Sequence, residues 1–107
     1  MPFIAYDVSL ELARHLREPV AALARRNPSL ADQLQRAAQS IPLNIAEGNG
    51  RAGRDRLHAF RIAAGSAREV TAALQVAELW GQLDAGSLQP ALASCDRLLG
   101  LLFGLTH

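Results

Sequence analysis

The sequence of 107 residues contains no lysine, and all 11 of its basic residues are arginine. Arginine grips phosphate or carboxylate in a planar fork, so this bias keeps an anion-binding surface open. Cysteine occurs once, at Cys95. That excludes an internal disulfide and favours the cytoplasm over the disulfide-stapled secreted folds. β-Branched residues are scarce (four Val, four Ile, two Thr) and aromatics make up 5%. A sheet lacks its usual material, and an all-β domain is all but excluded. Long hydrophobic runs are missing too. The most apolar stretch, Leu98 to Leu105, is eight residues broken by Gly100 and Gly104, against about 20 needed to cross a bilayer. No membrane association is expected. The N-terminal MPFIAYDVSLELARHL carries Asp7 and Glu11 with no basic region before an apolar run, so it does not read as a signal peptide.

What the chain has instead is 20 Ala and 18 Leu, the head of the helix-propensity scale. One compact domain over residues 1–107 is the expectation, too small for a two-domain enzyme. Four helical segments follow from apolar period and punctuation. The first spans about Tyr6 to Arg26, with Val8, Leu12, Leu16, Val20 and Leu23 on one face and a kink or short break near Arg17 and Glu18, ahead of Pro19. The second starts behind Ser29 as its cap, carries Leu34, Ala38, Ile41 and Ile45 inward, and stops near Gly48, with a kink at Pro42. The third runs from about Arg54 to Trp80, with Leu57, Phe60, Ala64, Ala67, Val70, Leu74 and Ala77 inward, and the fourth from about Ser87 to Leu105, with Leu88, Leu92, Leu99 and Leu102 inward. Short connections force antiparallel neighbours. The fold class is therefore all-α, an up-down-up-down four-helix bundle with a kinked second helix.

Residues 36 to 51 read RAAQSIPLNIAEGNGR. The string resembles the signature of the four-helix-bundle family named after 23S rRNA intervening sequences, through Arg36-Ala37-Ala38, Ser40-Ile41-Pro42, Asn44-Ile45-Ala46-Glu47-Gly48 and Gly50-Arg51. The resemblance continues through Phe60, Gly65, Ser66, Ala67 and Glu69 into the Leu-rich last helix. It implies a bacterial protein, a ring-like homopentamer and continuity of the second helix through Pro42. Through a distant similarity to the accessory variability proteins of retroelements, it also implies an adaptor that binds RNA, DNA or a protein partner. Relatives often carry a second basic residue where this chain has Gln35, which weakens a basic face on the second helix.

On a helical wheel Arg36, Ser40, Asn44, Glu47 and Arg51 fall within roughly 80° of one another, beside the apolar stripe. This polar seam is read first as structural, with Asn44 and Ser40 satisfying local backbone and Glu47 pairing with an arginine. As a binding site, Arg36 and Arg51 would hold phosphate while Asn44 reads a base edge or a backbone.

The net charge of +1 conceals an uneven distribution: residues 48 to 68 hold five Arg and one Asp, whereas 69 to 107 hold one Arg and four acids. Arg54, Arg61 and Arg68 repeat every seven residues on the third helix, about 10 Å apart, opposite much of the apolar stripe. With Arg51 they form a candidate nucleic-acid surface whose binding would be salt-sensitive and weakly sequence-selective. The same stripe also suits a subunit seam facing Glu69, Glu78, Asp84 and Asp96. Small residues on several faces of the third helix favour oligomerisation.

Catalysis finds little foothold, and a small enzyme is a distant third reading. His15, His58 and His107 do not pair at ligand spacing with each other or with Cys95, so neither a metal nor another cofactor is expected. Gly48-Asn49-Gly50 lacks the Lys-Ser/Thr end of a phosphate-binding loop and reads as a helix terminator. The expectation is a non-enzymatic, homo-oligomeric adaptor binding RNA or DNA through Arg51, Arg54, Arg61 and Arg68. The alternative is a structural or protein-binding module in which the stripe closes the subunit interface.

Overall fold

The computed structural model describes residues 3–107, and regular structure among them is entirely helical. The helices are α1 (Phe3–Arg26), α2 (Pro28–Asn49), α3 (Gly53–Leu79) and α4 (Ala85–Thr106). α1 packs on α2 and α4, and α3 packs on the same two, so the helices stand in a square with each chain neighbour adjacent. The bundle measures 43 × 22 × 19 Å. Its axis is filled by Leu12, Leu16, Leu23, Leu34, Ile41, Ile45, Phe60, Val70, Leu74, Leu88, Leu98 and Leu102, all buried. Burying each such side chain contributes about 1.5–3 kcal/mol before the entropy of ordering is subtracted.

Local chemistry sets the helix ends. Only Asn27 separates α1 from α2, and it, not Ser29, is the N-cap: its side-chain oxygen accepts the Leu30 N–H at 3.1 Å. Pro28 explains the shift, because a proline at the first helical position costs no hydrogen bond and leaves the residue before it as the cap. α1 runs unbroken through Pro19, so no break occurs near Arg17 and Glu18. Pro42 likewise lies inside a continuous α2, which extends past Gly48 to Asn49. α3 ends ahead of Gly81, whose φ of 69° is a left-handed value that glycine takes without strain.

On α4 the core line is Leu88, Ala91, Cys95, Leu98 and Leu102, while Leu92 and Leu99 are half-buried. The 3,4,3,4 steps of that line put those two leucines one residue off, on the flank of the same face. Val20, Leu57 and Ala64 are half-buried in the same way.

Two hydrogen bonds lock the end of the bundle where α1 meets α2. Arg26 Nη1 donates to the Gly81 carbonyl at 3.0 Å, and Asn27 Nδ2 donates to Gln82 Oε1 at 3.1 Å. The α1–α2 connection is thereby clasped to the α3–α4 connection.

Candidate nucleic-acid interface

The basic stretch begins at the turn between α2 and α3, at the opposite end of the bundle from the clasp. Gly48 lies against the fully buried Phe60 ring so closely that a Cβ built on it would sit 2.5 Å from Phe60 Cε1. Only glycine lets the last turn of α2 approach α3 this closely. Past it the Gly50 and Arg51 N–H groups donate to the carbonyls of Glu47 and Gly48, both at 3.1 Å, and Gly53 opens α3 at a φ of 58°.

The five arginines of this region have three different surroundings. Arg56 is half-buried; its guanidinium sits 4.9 Å from the Phe60 ring centroid, and Nη1 donates to the Gly48 carbonyl at 3.4 Å. It ties α3 to the electronegative end of α2. Arg51 pairs with Glu47 at 2.6 Å. Arg54, Arg61 and Arg68 are exposed and make no ion pair or hydrogen bond among the described residues. Their fixed charges face solvent along one side of α3.

The polar seam of α2 divides into three separate groups. Arg36 pairs with Asp32 at 2.6 Å on the surface. Asn44 Nδ2 donates to the Ser40 carbonyl at 2.9 Å and to Ser40 Oγ at 3.0 Å, and Ser66 Oγ donates to Ser40 Oγ at 3.0 Å, so this trio links α2 to α3. Glu47 is occupied by Arg51. Arg36, Ser40, Asn44 and Glu47 share one side of α2, whereas Arg51 lies past the helix end at Asn49, off the wheel that placed it with them, and the five do not converge on a common point.

A second group is not apparent from sequence spacing. Between α3 and α4 lies a cleft of about 90 Å³ lined by Arg61, Ala64, Arg68, Leu99, Phe103 and His107. The Phe103 and His107 rings stack with centroids 3.9 Å apart and planes 16° from parallel, while Phe103 remains 58% exposed. Along the chain, Tyr6 and Trp80 lie far from the arginines, so spacing alone offers no ring to accompany them. The signal lies in the fold: in an antiparallel hairpin turning near Gln82, residue 61 falls opposite residue 103.

Beyond the arginine line, α3 carries an outward ridge of Ile62, Gly65, Glu69, Ala72, Val76 and Leu79, stepping by three and four, with Leu79 84% and the adjoining Trp80 74% exposed. On the α1–α2 side an open apolar groove of about 740 Å³ is lined by residues including Ala13, Val20, Ala21, Ala24 and Leu43. Cys95 is a buried free thiol whose pKa is pushed above its ordinary 9.0, chiefly by desolvation and against a hydrogen bond with Thr71, which makes it a packing residue. Among the described residues no three His, Cys, Asp or Glu side chains gather at metal-binding distance, and no helix is long and apolar enough to cross a membrane.

Comparison with known proteins adds one match and one blank. The family model described as 23S rRNA-intervening sequence protein matches residues 3–104. No curated protein matches the chain.

Proposed function

The chain belongs to that intervening-sequence family, and from this premise we propose that it is a non-enzymatic, homo-oligomeric adaptor that holds RNA or another nucleic acid on the arginine face of α3. The observation that carries the reading is the state of Arg54, Arg61 and Arg68: exposed, aligned at seven-residue steps and unpaired among the described residues. A line of unpaired guanidiniums about 10 Å apart suits a phosphate backbone, and arginine without lysine adds forked contacts. Arg51 extends the line, its charge shared with Glu47.

Assembly strengthens the reading. The ridge on α3 and the groove between α1 and α2 are unlike apolar surfaces on one chain, and unlike surfaces pair head to tail, which makes a ring when the rotation between copies closes. A ring of five, which the family resemblance implies, repeats the arginine line and turns a weak patch into a multivalent one. The second reading, a structural or protein-binding module, draws on the position of the arginines beside the ridge, where a neighbouring copy's acids would meet them.

Changing Arg54, Arg61 and Arg68 together to Gln separates the two. Fluorescence anisotropy with mixed RNA is expected to show weaker binding, with a log–log salt slope flatter by about 2–3 for each chain engaged, because roughly 0.7–0.9 of slope disappears with each phosphate contact. The oligomer mass by light scattering stays unchanged. Loss of the oligomer would instead assign the stripe to the subunit seam. A wild-type protein showing no salt-dependent RNA binding removes the nucleic-acid reading.

A further inference from the structure

We propose that the α3–α4 cleft is a base-stacking position, so that the adaptor takes single-stranded nucleic acid in preference to duplex. The inference rests on the nucleic-acid reading above and adds the class of ligand. Phe103 is more than half exposed, and His107 already lies parallel to it at 3.9 Å. An unpaired base placed on the open face extends a two-ring stack to three.

The surroundings suit a nucleotide specifically. Arg61 and Arg68 line the same cleft, separated along α3 by about 10 Å, so a base inserted there has a guanidinium available on either side for its flanking phosphates. Ala64 between them and Leu99 across from them form a small apolar floor. The cleft lies near the C-terminal end of α4, where bare carbonyls would repel phosphate. Local partners blunt that repulsion: Thr106 Oγ1 donates to the Leu102 carbonyl at 2.9 Å, and His107 Nδ1, in its protonated tautomer, donates to the Phe103 carbonyl at 3.1 Å. In a duplex both faces of each base are already stacked, so a helix can use the arginines but not the ring.

The test measures binding to labelled oligo-uridine, oligo-thymidine and a blunt DNA duplex of equal length, for wild type, Phe103→Leu and Phe103→Trp. Wild type is expected to favour the single strands. Phe103→Leu should weaken them by about 5- to 150-fold, the range for losing one base–aromatic stack, while duplex binding hardly changes. Phe103→Trp, which keeps a ring, should preserve the preference. A 2-aminopurine placed in the single strand should be quenched by wild type and not by Phe103→Leu. Loss confined to oligo-uridine would restrict the ligand to RNA, and equal loss on both strands identifies the shared base and phosphate chemistry. If Phe103→Leu leaves single-strand affinity and quenching intact while the triple arginine variant still weakens every probe, the stacking inference is overturned and the arginine reading survives. If wild type binds none of the three, both fall.

Discussion

Gly48 shows how one absent methyl group fixes a helix contact. Alanine there gains up to about 1 kcal/mol in helix propensity, but its Cβ would press into the Phe60 ring at 2.5 Å, and overpacking a buried aromatic costs about 1–3 kcal/mol. The second effect wins because Phe60 is fully buried and has nowhere to swing. Gly48→Ala is therefore expected to lower the thermal midpoint. Gly100→Ala is the control: it lies inside α4 with nothing within 4 Å of the place its Cβ would take, and it should raise stability by about 0.5–1 kcal/mol. Both are read by melting followed with circular dichroism. The sequence marks Gly48 as part of a glycine-rich stop, since composition cannot distinguish a residue that ends a helix from one that lets another helix come close. Phe60 and Ile45 are readable from period; the contact between Phe60 and Gly48, and Arg56 above it, needs the turn to be built.

At the scale of the helix, the four segments and their order are legible because Leu and Ala recur at three and four residues and Asn27-Pro28, Gly53 and Gly81 interrupt them. The ends move by a few residues for nameable reasons. Pro28 hands the cap to Asn27, and the tight α1–α2 connection follows. Asn27 works twice, accepting from Leu30 N and donating to Gln82. Asn27→Ala should cost about 1–2 kcal/mol in urea denaturation, the cap supplying most of it. Asn27→Ser, which keeps a capping oxygen without the reach to Gln82, is expected to lose less. An alanine variant as stable as wild type would show that the cap is dispensable. The arginine line is equally legible, because a seven-residue repeat on a helix is a geometric fact of the sequence. Phe103 is not, because its neighbours belong to another helix.

For the whole molecule the net charge of +1 divides into a basic stretch at the α2–α3 end and an acid-rich C-terminal third. The string at residues 36 to 51, which contains Pro42 and Gly48, lies within a family match over residues 3–104. The proposed ring depends on the ridge of α3. Val76→Ser combined with Leu79→Ser is expected to reduce the mass in analytical ultracentrifugation to that of one chain, with helix content retained. Trp80, on the same surface, should shift its emission to the red when wild type is diluted through the same transition. An unchanged mass would remove the ridge from the interface.

The clasp at one end has a mechanical consequence for the cleft. Arg26 and Asn27 fix the α3–α4 turn at Gly81 and Gln82, and Arg61 lies about 30 Å further along α3 by helix rise. The two helices then behave as lever arms with a shared pivot, and a tilt of about 5° between them changes the gap at Arg61 and Phe103 by about 2–3 Å. The cleft's aperture is thus an amplified readout of side-chain volume along the α3–α4 seam, where a methylene gained or lost near the buried Leu88, close to the pivot, is magnified about threefold at Arg61 and Phe103.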